Sequence, residues 1–222
     1  MAFDARKGLY STREASLLTG LSARQVTGWI AGYSKGGRGP GPLIARAPGD
    51  DAAISFLDLI EIVFVNAFLK QGVSMSTIRR ASKQAAEELM GDHPFALKRF
   101  ETDGRAIFER LEVKKTRRKH LRNLVDGQSV FAKVIAPYLI KQIDYMPSGD
   151  AMRWWPLGRK APVLVDPSIS FGSPVTASAH VPTSVIHDAL RAGETVASIA
   201  KWFDIPRKDV KAAADFEQRM AA

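Results

Sequence analysis

The sequence predicts a mainly α fold with small β elements. It comprises an N-terminal winged helix-turn-helix, a mixed middle segment and a C-terminal helical module that again looks like a helix-turn-helix. Three observations predict it. Apolar residues recur at helical spacing through residues 12–30, 56–90 and 182–220. Capping side chains and glycine or proline stops bracket these stretches. Short apolar runs flank the turn signals Pro48-Gly49-Asp50-Asp51 and Asp103-Gly104. The expected units are residues 1–92, 93–160 and 161–222.

The elements follow in chain order. Ser11 or Thr12 caps a first helix running to about Leu18, with Glu14 in its first turn and Gly20 as its stop. Ser22 caps a second helix from Ala23 to about Ala31, whose Val26, Trp29 and Ile30 make one apolar stripe. Two short helices joined by a four-residue turn form a helix-turn-helix. Residues 32–42 are too rich in Gly and Pro for helix. Leu43-Ile44-Ala45 and Ala52-Ala53-Ile54 are then expected to pair as a hairpin, the wing. Phe56 to Lys70 returns to helical spacing and Gly72 stops it. Ser74 or Ser76 caps a further helix to about Met90, bearing Arg79, Arg80 and Lys83.

In the middle, Arg99 to Phe108 alternates around Asp103-Gly104 as in a hairpin. Val130 to Ile143 mixes β-branched residues with helical spacing and reads as helix or strand. Further on, Val163-Leu164-Val165 is a short strand ending at Asp166-Pro167, and Gly172 and Pro174 punctuate a loop. Pro182 to Leu190, Val196 to Trp202 (capped by Thr195) and Arg207 to Met220 are helices.

The 222 residues carry 45% apolar and 25% charged side chains, ordinary globular composition that excludes disorder over most of the chain. Cysteine is absent, which excludes disulfides, Cys-ligated zinc and thiol catalysis. Residues 1–15 have no apolar stretch of signal-peptide type. Ile54 to Leu69 is interrupted by Asp58 and Glu61 and is shorter than the roughly 20 apolar residues of a membrane span. No membrane partner and a cytoplasmic, nucleoid-associated place are the expectation. His93, His120, His180 and His187 lack metal-ligand spacing. No Gly-rich phosphate loop is complete, and Glu87-Glu88 and Asp50-Asp51 suit a helix face and a turn. The reading is therefore not an enzyme, with no cofactor and no metal.

The formal charge of +9 is unevenly placed. Residues 1–50 carry +4 and residues 96–160 carry +8, whereas 51–95 and 161–222 are slightly acidic. In a winged helix-turn-helix the second helix enters the major groove and its early residues meet base edges. Arg24 and Gln25 lie opposite the apolar stripe; Arg reads guanine and Gln adenine through paired hydrogen bonds. Arg13, with Lys35 and Arg38 of the wing, is placed on phosphates, and Ser22 and Thr27 are counted with the candidate DNA-binding residues. The basic run Lys114 to Arg122 carries no reading motif, and suits a solvated face, an acidic protein or phosphates. Trp154 and Trp155 are assigned to core or interface before base stacking.

The first 90 residues resemble the MerR-like winged-helix family. The resemblance is carried by Ser11-Thr12-Arg13-Glu14-Ala15, Gly20 to Val26, Ile54 to Leu59 and Gly72 to Arg79. Where effector-sensing members show Arg-Tyr-Tyr, this chain has Thr27-Gly28-Trp29, and it has no long coiled-coil helix and no cysteine cluster. The resemblance implies DNA binding without extending to metal or drug sensing. The last 60 residues resemble the small helical domain found in antitoxins of VapBC-like type II toxin–antitoxin pairs. That resemblance rests on Val165-Asp166-Pro167, Gly172 to Val175, Val181-Pro182-Thr183, Ala192 to Ala200 and Ile205 to Val210. Ala177 to His180 replaces the family's Gly-x-Arg loop.

Together the resemblances imply an antitoxin that binds double-stranded DNA as a homodimer at a palindromic operator. Such a protein represses its own promoter and neutralises a PIN-like ribonuclease toxin. A stand-alone MerR-like transcription factor and a protein-interaction scaffold are the alternatives, separated by the neighbouring gene and by salt-dependent DNA binding.

Overall fold

The computed structural model describes residues 8–33, 39–44, 53–100 and 142–221. It is mainly α, with seven α-helices and three two-stranded antiparallel sheets among the described residues.

Strand β1 (Gly8–Tyr10) leads into α1 (Thr12–Thr19). Ser11 Oγ accepts the Glu14 N–H at 3.2 Å while the Glu14 carboxylate accepts the Ser11 N–H at 2.7 Å, closing both ends of a capping box. Gly20, in the left-handed region at φ 66°, ends the helix. After the turn, α2 (Ala23–Ile30) starts on an equivalent box made by Ser22 and Gln25. Ala15 of α1, Leu21 of the turn and Val26 and Trp29 of α2 are buried, so the expected helix pair and its apolar stripe are present.

Of the expected wing only the ends, Leu43-Ile44 and Ala53-Ile54, lie within the described residues. Ile54 does not pair with Leu43-Ile44: β2 (Ile54–Ser55) lies antiparallel to β1, with Tyr10 opposite Ile54 and Gly8 opposite Ser55. Leu43 and Ile44 instead donate both N–H groups to the Trp29 carbonyl, at 2.8 and 3.2 Å. The physical reason lies at the end of α2. Its last carbonyls lack intrahelical donors, and burying Leu43 and Ile44 against the same core brings their amides to one of them. The turn Pro48 to Asp51 lies outside the described residues.

Helix α3 (Phe56–Lys70) is capped by Ser55 and Asp58 and is buried almost all round. Helix α4 (Met75–Leu89), capped by Ser74, buries Ile78, Ala81, Ala85 and Leu89 along one stripe. A 3-10 turn, Pro94–Ala96, follows, and its Phe95 joins Phe64, Phe68 and Phe100 in a ring cluster with centroids 4.7–6.4 Å apart. The rest of the expected hairpin past Phe100, the run Lys114 to Arg122 and residues 130–141 lie outside the described residues.

Ile143 belongs to β3 (Ile143–Tyr145), which pairs with β4 (Ala151–Trp154). Trp154 and Val165 exchange two backbone hydrogen bonds, at 2.9 and 2.8 Å. Next come β5 (Val163–Leu164) and its partner β6 (Val175–Thr176). The C-terminal helices are α5 (Thr183–Arg191), α6 (Val196–Trp202) and α7 (Arg207–Ala221).

Two apolar cores result. The first runs from Tyr10 through α1–α4 and Phe95 to Trp154 and Val165, across the expected unit boundaries. The second joins Ile186 of α5, Ile199 of α6, Ile205 of the turn that follows, and Val210 and Ala213 of α7. No helix among the described residues is long and apolar enough to cross a membrane.

Candidate nucleic-acid interface

The helix-turn-helix presents a polar face. Ser22, Arg24, Gln25 and Thr27 of α2 are exposed, as is Arg13 of α1. Arg24 and Thr27, three residues apart, share one side of α2, while Val26 and Trp29 anchor the other. Neither Arg13 nor Arg24 makes an ion pair among the described residues. A guanidinium left free in this way keeps all five donors available to phosphate or base edges.

The structure gives Ser22 and Gln25 a different present use. Gln25 Oε1 accepts from the Ser22 N–H at 3.1 Å and from Ser22 Oγ at 2.8 Å. Paired recognition of adenine needs both the oxygen and the amide NH2 of a glutamine. Gln25 as it stands offers only the NH2, because its oxygen closes the start of α2. Lys35 and Arg38 lie outside the described residues.

Tyr33, which the sequence reading passed over, and Arg79, which it named without a role, complete this surface. The Tyr33 ring lies over Gly28, where a Cβ would meet Tyr33 Cζ at 2.1 Å. Tyr33 is 39% exposed, and its N–H donates to the Pro40 carbonyl at 3.0 Å, which closes the glycine-rich loop at its root. At Gly32, whose φ is 86°, an added Cβ would come within 3.0 Å of the Gly41 and Pro42 backbone. Arg79 of α4 donates to the Pro42 carbonyl at 3.0 Å, tying the same root to the helix behind it. A glycine inside a helix with a tyrosine five residues on is the signal that could have located Tyr33; Arg79 has none, because its partner is a main-chain carbonyl.

A cluster of perturbed charges lies elsewhere, behind α3. His93 Nε2 donates to Asp58 Oδ1 at 2.8 Å, and the Phe95 and Ala96 N–H groups donate to Glu61 at 2.6 and 3.1 Å. Burial pushes the Glu61 carboxyl up to about 7, against the opposing pull of His93 and the two amides. Burial also raises Asp58, but the His93 hydrogen bond and the Ser55 N–H outweigh it and hold the carboxyl below the usual range. For His93, burial is overcome by the Asp58 hydrogen bond and the charges of Glu61 and Asp58, so the imidazole sits above its ordinary value. Although a Ser, an Asp and a His meet here, they are not a nucleophilic triad. Ser55 Oγ accepts the Asp58 N–H as a helix cap, and both residues are buried. It braces the 3-10 turn against α3. Among the described residues no group of three or more His, Cys, Asp or Glu is disposed to hold a metal ion.

Trp154 is buried in the first core. Trp155 is half-buried, donating from Nε1 to Asp144 Oδ2 at 3.0 Å beneath the Arg159 guanidinium. Their placement in core and local packing agrees with the sequence reading.

Residues 163–216 match a family model described as "Protein of unknown function (DUF433)". A Mycobacterium tuberculosis (strain ATCC 25618 / H37Rv) protein named "Putative antitoxin VapB45" is 27% identical over 223 residues, covering 93% of this chain and 92% of its own. A solved structure, the X-ray crystal structure of Rv2018 from Mycobacterium tuberculosis, shares the fold with a TM-score of 0.73. It is 22% identical, with 96% of this chain and 99% of that chain covered.

Proposed function

We propose that the chain is the antitoxin of a type II toxin–antitoxin pair. In this reading it binds the major groove of its own operator as a homodimer, represses its promoter and neutralises a PIN-like ribonuclease partner. One observation carries the antitoxin part: a relative bearing an antitoxin name aligns along 93% of this chain, not over the C-terminal module alone. The exposed, unpaired Arg13 and Arg24 flanking a well-capped α2 support the DNA part. The C-terminal module carries no excess of positive charge over residues 161–222, which favours protein contacts over DNA contacts there.

Arg24 is the base-reading residue, and Arg13 with Lys35 and Arg38 positions the protein on phosphates. Gln25 takes part through its NH2, or through its whole amide once DNA draws it off the cap. The test is binding to a duplex holding the chain's own promoter, followed by fluorescence anisotropy at several salt concentrations. Arg24→Ala should cost about 1–3 kcal/mol and relax sequence preference. Arg13→Ala should weaken all duplexes alike and flatten the salt dependence by about one counterion. Promoter affinity unchanged in both variants sinks the DNA reading. Failure of co-expression to relieve the toxicity of the neighbouring gene's product sinks the antitoxin reading.

A further inference from the structure

A cleft of about 550 Å³ opens between the helix-turn-helix and the C-terminal module. Its apolar walls come from Leu17 of α1, Val63 and Ala67 of α3, Trp154 of β4 and Phe216 of α7. The volume falls within the span of about 300–1,000 Å³ usual for small-molecule sites.

The polar groups of the described wall lean one way. Lys70, the last residue of α3, and Arg219, in the last turn of α7, both border the cleft and are exposed. Neither makes an ion pair among the described residues. No Asp or Glu contributes to the described wall. Trp154 is only 4% exposed, and its indole N–H finds no acceptor among the described residues. A buried donor without an acceptor is costly, and such groups in a folded protein call for an explanation. An apolar cleft bordered by two free cations, with no carboxylate on its described wall, suits an occupant that joins an apolar body to a negative charge.

We propose that this cleft binds a small amphipathic organic anion, a carboxylate or sulfonate with an apolar body. The body lies against the apolar walls, Trp154 among them, and the acidic group is drawn by Lys70 and Arg219. Because α1 belongs to the helix-turn-helix and α7 to the C-terminal module, an occupant touches both. Any effect on operator affinity rests on the DNA-binding reading given above; the binding itself does not.

The test uses the full chain, with decanoate and decyltrimethylammonium as probes of equal chain length and opposite charge, followed by titration calorimetry. Decanoate should bind saturably at one site, with decyltrimethylammonium at least about tenfold weaker, since charge-assisted contacts favour only the anion. Lys70→Gln combined with Arg219→Gln, both at exposed positions, should weaken decanoate about tenfold or more without altering ligand-free melting. Decanoate should also move the Trp154 indole N–H resonance, identified by its loss in Trp154→Phe. Equal binding of the two probes, unchanged affinity in the double variant, or an unmoved Trp154 resonance at saturation would overturn the proposal. None of these readings involves DNA, so a failure of Arg24→Ala to affect the promoter leaves them intact.

Discussion

Glu61 and Asp58 interrupt the most apolar run of the sequence, and read there they serve only to argue against a membrane span. In the fold both are buried, at 1% and 2% exposure, and both hold main-chain or imidazole donors. That role was not legible, because the partners stand 34 and 35 residues away and two of them are backbone amides. It has a pH signature with a definite sign. Glu61 titrates near 7 in the fold against an ordinary value of 4.5, so its contribution is full below about 4.5 and lost as pH rises toward 7. His93 is raised above 6.5, so its contribution is full below 6.5 and lost as pH climbs through the raised value. Asp58 is lowered, so its contribution stands above 3.8 and disappears only as pH falls through the lowered value. The cluster therefore supports the fold best in mild acid, and melting temperature should fall between pH 5 and pH 8. The Glu61 part amounts to about 3 kcal/mol at most. Glu61→Gln keeps an acceptor for Phe95 and Ala96 but removes the titration, so thermal melts of this variant should show a flatter pH profile. A profile as steep as that of the parent chain would mean that Glu61 does not titrate there.

At the level of elements, what was legible was whatever is written locally. Ser11 with Glu14, and Ser22, stand where their helices begin, while Gln25, read only as a base contact, and Ser55, given no role, prove to be caps as well. The described ends of the expected wing find partners that no local pattern names, because strand pairing depends on what occupies the neighbouring edge. Gly8–Tyr10 supplies that edge for Ile54–Ser55, while Leu43 and Ile44 find acceptors at the end of α2. The same local chemistry separates folding from recognition on α2. Ser22→Ala removes the cap and should cost about 1 kcal/mol in urea denaturation. Arg24→Ala, at an exposed position without an ion pair, should stay within about 0.5 kcal/mol of the parent. A large stability loss in Arg24→Ala would assign that side chain to the fold and undermine its proposed role at the interface.

Across the whole molecule, charge and periodicity separated an N-terminal helix-turn-helix from a C-terminal helical module, but not the way the two are joined. The joint is made by groups no pattern reports. Tyr10 Oη of β1 donates to the Gly172 carbonyl at 3.1 Å, 162 residues away. Burial of that phenol raises its pKa, and the nearby Glu14 and Asp166 add to the effect, so it stays a neutral donor beyond the usual tyrosine range. Arg153 of β4 reaches Asp166 through Nε at 3.1 Å and Nη2 at 3.0 Å, clasping the chain where it leaves the first core. Gly172 has to be glycine for two reasons: its φ is 75°, and a Cβ there would come 2.3 Å from Tyr10 Oη, in a side chain only 3% exposed. Tyr10→Phe leaves the Gly172 carbonyl without that donor and should cost about 1–3 kcal/mol. Gly172→Ala adds left-handed strain of about 1–2 kcal/mol to overpacking of about 1–3 kcal/mol, so it should be the more damaging of the two. Because the contact ties β1 of the first core to the loop between β5 and β6, chemical denaturation should also reveal where the loss falls. If the cores unfold as one unit, both variants lower a single transition. If they unfold separately, Gly172→Ala should split the curve, with Trp29 fluorescence and C-terminal helical signal lost at different urea concentrations. A Gly172→Ala protein as stable as its parent would show that Tyr10 and Gly172 do not hold the molecule together, and the join would then have to rest on Arg153–Asp166 and on the packing of α7 against α1.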